Sequence, residues 1–386
     1  MYANIISRFV RATQRISPNQ FQRAIFSRTY VTRGIYSLGI QRQELYIPHE
    51  DDPVVDFRVG PGEKMMAVVT ESGNLLVKGE GGPLLGLGKN VEVAKDWTQV
   101  EGLPPVVAVQ LGETHSMALT ADGDVYTWGQ GGSFYKPGVL GHGDSKTLDR
   151  PKRIERLANI KQISAGLRHS LALDDDGKVY SWGFGEYGRL GHGSSSSYSE
   201  PALIEALATL TTHQIGTGNS FSAAATNEGI FTWGKNERGQ LGLKPGVLFE
   251  MYNMEAIPTP VQFPDEPPVD EVPSTVDVIT CSPRACFAYR SETGDVFMWG
   301  DKIWNTPTKL ELKDLSLPIV QIAHGAGRTI ILDADYKAHI WTRNIGIKRL
   351  GDPHIEPPSK QFGRIRRLYS GYIIVAEIED FDEDQE

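Results

Sequence analysis

The chain has 386 residues, of which 40% are hydrophobic and 23% charged, with a net charge of -9. That balance supports a large buried core and excludes disorder throughout. The 41 glycines are more than the usual ~7% but follow no Gly-X-Y period, which excludes collagen, and no apolar run reaches the ~18 residues of a membrane-spanning helix.

The first segment, residues 1–30, differs from the rest. It holds Arg8, Arg11, Arg15, Arg23 and Arg28, with no lysine and no acid, and the first carboxylate of the chain is Glu44. Setting aside those five positive charges takes the net charge from -9 to -14. On a helical wheel Arg8, Arg11 and Arg15 share one side, and Ile5, Ile6, Phe9 and Ile16 gather on another. An amphipathic, arginine-rich, acid-free start predicts a mitochondrial presequence. Arg28-Thr29-Tyr30 has the form of a matrix-processing site, which would leave Val31 as the new start. The other reading is a basic arm that binds nucleic acid, for which lysines would be expected as well.

Residues 31–380 are organised by a repeat. Leu111-Gly-Glu-Thr-His-Ser-Met-Ala-Leu119 with Asp122-Gly-Asp-Val-Tyr-Thr-Trp-Gly129 matches Ala165-Gly-Leu-Arg-His-Ser-Leu-Ala-Leu173 with Asp176-Gly-Lys-Val-Tyr-Ser-Trp-Gly183. A third copy runs from Thr217 to Gly234 and a fourth from Cys281 to Gly300, with weaker copies over 62–79 and 325–342. Gly34–Gly39 is a second half without its first, and Ser370–Ala376 a first half without its second. The halves make one unit, giving seven units of about 50 residues. This pattern predicts an all-β chain: a seven-bladed propeller whose last blade is closed by strands from both termini, because closure protects sheet edges.

Within each unit two alternating apolar runs meet at a tight Asp-Gly type turn. Gly112 and Gly166 are expected just before the first strand, where backbones crowd the axis. Trp128, Trp182, Trp233 and Trp299 recur once per unit and are expected to fill the space between sheets. His115 and His169 share one repeat position, as do His142 and His192. Ligands must converge on a metal, whereas these recur about 50 residues apart, so they read as structural parts and no metal is expected. Cys281 and Cys286 read as small core residues; if both lie in one strand, their spacing puts the thiols on opposite faces and they would not bond.

The runs Trp182-Gly-Phe-Gly-Glu-Tyr-Gly-Arg-Leu-Gly-His-Gly193 and Trp233-Gly-Lys-Asn-Glu-Arg-Gly-Gln-Leu-Gly242 resemble the signature of the regulator of chromosome condensation family. The resemblance covers nearly all of the chain after the presequence and implies seven-bladed propellers. Together with the import signal it is similar to the mitochondrial branch of that family, known as guanine-nucleotide exchange factors. It implies a GTPase partner, met on one propeller face in its nucleotide-free state without covalent chemistry, at the matrix or the matrix face of the inner membrane. A role in mitochondrial fusion or ribosome biogenesis would follow. The alternative is a non-catalytic scaffold for mitochondrial ribosome assembly or rRNA metabolism, with a ribosomal subunit or rRNA factors as partners.

No catalytic motif or cofactor motif is present. Gly86-Leu-Gly-Lys-Asn90 lacks the first glycine and the metal-binding hydroxyl of a phosphate loop. Function is therefore expected in loops on a rigid scaffold. Gln130–Gly138 lengthens its unit, and Phe134, Tyr135 and Lys136 are candidate partner-binding residues. An acidic, proline-rich insertion over 245–275 adds Phe249 and Tyr252 as apolar anchors. Arg150, Lys152, Arg153 and Arg156 lie in what reads as a connector, and Arg364, Arg366 and Arg367 are candidate RNA contacts beside Phe362 and Tyr369. Residues 381–386 form an acidic tail. A mature charge of -14 argues against DNA as a partner, and a monomer is expected.

Overall fold

The computed structural model describes residues 33–38, 42–46, 52–132, 138–243, 253–264, 278–290, 293–310, 316, 318–325, 328–335, 338–342, 354–356, 364–369 and 375–379. The chain is all-β: its described helical segments are 3-10 turns of three or four residues. Among the described residues the strands form seven four-stranded antiparallel sheets. In the sheet over 160–203 the strands Ile160–Ala165, His169–Asp174, Val179–Gly183 and Tyr198–Leu203 lie side by side in chain order. The sheets over 54–99, 106–153, 212–260, 278–309 and 321–356 repeat that order. The seventh joins both ends of the chain in the order Arg42–Tyr46, Arg33–Leu38, Val375–Glu379, Arg364–Tyr369. The first strands of successive sheets lie beside one another, and Arg364–Tyr369 lies beside Val54–Val59.

The second strand of each of four sheets is buried at every position: His115–Thr120, His169–Asp174, Phe221–Thr226 and Ala285–Arg290. These strands do not alternate in burial as the pattern predicts, because a neighbouring sheet covers each face. Small residues make this possible, as in Ala223-Ala224-Ala225, all with no exposure. The turns after them behave as the Asp-Gly pairs require, with Gly123 at φ +80 and Gly177 at φ +82.

Each of the four recurring tryptophans, 128, 182, 233 and 299, packs into the cluster of the preceding sheet. Trp182 lies with Met117, Leu119, Val125 and Ile154, and Trp233 with Leu171, Leu173, Val179 and Ile204. Its indole rests against the Leu-Gly of the preceding unit: a Cβ on Gly141 would lie 3.0 Å from Trp182 Nε1, and one on Gly191 2.9 Å from Trp233 Nε1. Both glycines also have positive φ, +84 and +82, so two independent constraints select glycine there.

The inner strands are tied by side chains. Gln162 accepts from Ile215 N at 2.9 Å and donates to Ile215 O at 2.9 Å. Gln214 accepts from Ile279 N at 2.8 Å, and Asp56 from Val109 N at 3.0 Å. A cavity of about 740 Å³ lies between these strands, lined by residues of six sheets that include Asp56, Gln162, Gln214 and Cys281.

Four expectations are corrected. Gly112 and Gly166 follow the first strand instead of preceding it, at the turn into the second. A Cβ on Gly166 would lie 2.1 Å from His169 Cε1 and 2.8 Å from Gly218 O, so the crowding comes from the histidine ring and the next turn. Met254–Pro260, within the stretch read as one insertion, is the fourth strand of its sheet. Leu148–Arg153 is likewise an outer strand and not a connector. Cys281 and Cys286 stand opposite each other on two strands of a hairpin, with Sγ atoms 3.0 Å apart. The turn at Ser282–Arg284 reverses the chain between them, which brings both thiols to one face.

Candidate partner-binding face

Antiparallel pairing puts the first-to-second and third-to-fourth connections of every sheet at one edge. Among the described residues the short turns there are 60–64, 112–114, 166–168, 218–220 and 282–284. Backbone bonds string four of them together: Glu113 N donates to Leu167 O at 2.8 Å, Leu167 N to Asn219 O at 3.2 Å and Asn219 N to Pro283 O at 3.0 Å. The turns therefore share a rigid backbone frame. Exposed carboxylates project from this edge at Glu63, Glu113, Glu186 and Glu237. Glu113 meets Arg168 at 2.8 Å and Glu237 meets Lys235 at 2.9 Å.

Beneath the turns lie the histidines. His115 Nε2 is 2.9 Å from Ser170 Oγ, and His169 Nε2 is 3.0 Å from Ser222 Oγ. Each link joins one sheet to the next. Ser222 Oγ donates its proton to Arg189 O at 2.8 Å, so it accepts from His169, whose Nε2 carries the proton. Where the histidine position holds Phe221, the next sheet's serine position holds Cys286, and both belong to one apolar cluster. His115 and His169 are parts of this inter-sheet bond and do not converge. Ser222→Ala leaves the His169 N–H buried without that acceptor, at a cost of about 2 kcal/mol, readable as a lower urea midpoint at unchanged slope. His142 and His192 act similarly within their sheets: Thr127 Oγ1 donates to Leu140 O at 2.6 Å and lies 2.9 Å from His142 Nε2, while Ser181 Oγ donates to Leu190 O at 2.7 Å and lies 2.8 Å from His192 Nε2.

Sequence reasoning missed Arg189. Its side chain is buried, and its guanidinium lies 5.4 Å from the Phe184 ring centroid and 5.6 Å from that of Tyr187. Burial pulls its pKa down to about 10, which leaves it cationic at neutral pH. Lys235 Nζ lies 4.3 Å from the Tyr187 centroid. The aromatic pair is thus held half-exposed at the face by two cations. The only signal in the sequence was that the same repeat position holds Arg189 in one unit and Gln240 in the next.

Phe134, Tyr135, Lys136, Phe249 and Tyr252 lie outside the described residues, as do residues 1–30 and the tail 381–386. The described residues flanking these candidates, Gly132 with Gly138 and Leu243 with Asn253, lie on third-to-fourth connections and so at this edge. Two of the four residues of the basic cluster are ion-paired: Arg153 contacts Asp124 at 2.8 Å and Glu155 at 3.0 Å, and Arg156 contacts Glu200 at 3.1 Å. Arg364, Arg366 and Arg367 fall on the inner strand of the seventh sheet, where Arg364 stands opposite Glu379 and Arg367 opposite Glu377.

The regulator of chromosome condensation (RCC1) repeat matches residues 122–173, 176–225 and 227–275, and a second description of that repeat matches 106–134 and 160–189. The chain is 40% identical over 194 residues to the ultraviolet-B receptor UVR8 of Arabidopsis thaliana, covering 49% of this chain and 43% of the receptor. It is 34% identical over 192 residues to the mitochondrial RCC1 domain-containing protein RUG3 of the same plant, covering 47% and 42%. The matched stretch is thus less than half the length of each of these curated relatives. The fold resembles that of Prp20p from Saccharomyces cerevisiae, with a TM-score of 0.68, 19% identity and 96% of each chain covered.

Proposed function

We propose, for a chain that belongs to the RCC1 repeat family, that its seven sheets are the blades of one closed propeller and that the face carrying the turns binds a GTPase and promotes guanine-nucleotide exchange in mitochondria. The observation that carries the reading is the frame of linked turns at 112–114, 166–168, 218–220 and 282–284, which holds carboxylates and the Phe184–Tyr187 pair in fixed relation. A preorganised face costs little ordering on binding. Its acids can compete with nucleotide phosphates for the lysine of a GTPase phosphate loop, which favours the empty state. Prp20p is described with binding to Gsp1p and histones, and RUG3 is named as mitochondrial; both support the reading by kinship. Closure is supported by the shared seventh sheet and by Arg364–Tyr369 lying beside Val54–Val59. The arginine-rich residues 1–30 serve as the import signal, and no covalent chemistry or cofactor is involved.

The test is affinity capture with the chain from Val31 onward in mitochondrial lysate, with and without nucleotide depletion. One GTPase should be enriched only when nucleotide is stripped, and the double substitution Glu63→Lys with Glu113→Lys should abolish that enrichment. Recovery of ribosomal proteins regardless of nucleotide would overturn exchange in favour of a ribosome-assembly scaffold.

A further inference from the structure

We propose that Cys281 and Cys286 form a redox modification site, a dithiol that reacts with a low-molecular-weight disulfide reaching it from the axial cavity and closes to an intramolecular disulfide. The two residues face each other across the strands Val278–Cys281 and Ala285–Arg290. Their Sγ atoms are 3.0 Å apart. The neighbouring pair is closed by Ser282 N donating to Ala285 O at 2.8 Å, so Cys281 and Cys286 occupy the more closely spaced, non-hydrogen-bonded kind of position. Such pairs have Cα separations within the range a disulfide spans.

The two thiols differ in access. Cys281 is half-buried and lines the axial cavity. Gly216 makes room for it, since a Cβ there would lie 3.1 Å from its Sγ. Cys286 is fully buried among Phe221, Phe297 and Trp299, and burial pushes its thiol pKa up. A solute therefore meets Cys281 first, and only Cys286 is placed to finish the reaction. The same cross-strand positions hold Leu111 with Ser116, Ala165 with Ser170, and Thr217 with Ser222, so among these sheets this one alone carries a thiol on both strands.

The chemistry balances as two exchanges. The Cys281 thiolate attacks one sulfur of the incoming disulfide and expels the other as a thiolate, leaving a mixed disulfide. The Cys286 thiol loses its proton and attacks the Cys281 sulfur, expelling the second small thiolate. The protein pair loses two electrons and two protons, and the small disulfide gains them as two thiols.

The experiment uses the reduced full chain and oxidised glutathione. Cys281 and Cys286 are the chain's only cysteines, so free thiols should fall from two per chain to none, with no glutathione retained and no covalent dimer. Cleavage after Arg284 separates the cysteines, so trypsin should yield two peptides joined by the disulfide. Cys286→Ser, which installs the residue found at Ser116, Ser170 and Ser222, should trap glutathione on Cys281. Cys281→Ala, which installs the residue found at Ala165, should leave Cys286 unreacted in the folded protein. Two thiols persisting in excess oxidised glutathione, a lasting glutathione adduct on the unsubstituted protein, or a linked dimer would each overturn the proposal.

Discussion

Trp233→Ala should destabilise the protein by about 4 kcal/mol, within the ~3 to 5 kcal/mol range of large aromatic deletions from a core. Trp233 has no exposed surface and packs between two sheets against Leu171, Leu173, Val179, Ile204, Leu207, Ile215 and Ala224. An indole of this kind buries on the order of 200 Å², which at about 25 cal/mol per Å² corresponds to about 5 kcal/mol of transfer free energy, an upper bound given residual burial in the unfolded chain. Its neighbours belong to strands paired in two different sheets, so they do not collapse readily into the void. Gly191, which lies against the ring, cannot fill it. Denaturant unfolding followed by fluorescence of the remaining tryptophans should show the lower midpoint. The half-buried Trp304→Ala serves as the contrast, with a smaller loss because less apolar surface leaves water on folding.

The second large effect is a loss of stability in mild acid. Burial pulls the pKa of His115 down to about 4, from an ordinary value of 6.5, and His169 is shifted in the same direction by burial first, then by the nearby charges of Arg189 and His115. Between pH 6.5 and 4 the unfolded chain takes up a proton at His115 that the folded chain refuses. Unfolding is therefore favoured as pH falls through that window, and the penalty is absent above it. For His115 alone the full penalty is about 3 kcal/mol, from ~1.4 kcal/mol per pKa unit. His115→Gln removes the titration and should flatten the pH dependence relative to the unsubstituted protein, while costing some stability at pH 7.5 through the lost Ser170 contact. Urea midpoints at pH 7.5 and pH 5 for both proteins check this. An equal drop in the two would show that other groups carry the acid sensitivity.

Both effects depend on residues that recur, and recurrence is why so much of the molecule could be read in advance. The Asp-Gly turns, the tryptophans at 128, 182, 233 and 299 and the split unit at the two ends each act through local backbone chemistry or a period of about 50 residues, and both are written linearly in the chain. The all-β class follows from that period, as do the expectations of seven units and of histidines that serve as structural parts. The partners of those residues do not. His115 bonds a serine 55 residues onward and Trp182 rests on a glycine 41 residues before it; such pairs form only when sheets stack, because neither residue can bury its surface within its own unit. Arg189 combines both kinds of contact: Phe184 and Tyr187 of its own connection lie against its guanidinium, while Ser222 of the next sheet donates to its carbonyl. The cysteine pair shows the difference most plainly. A spacing of five residues fits one strand or a hairpin equally well, and the hairpin prevails because the Ser282–Arg284 turn is held to the neighbouring sheet by Asn219 N donating to Pro283 O. Local chemistry thus set the units and their turns, whereas stacking decided which side chains meet and which of them face the cavity.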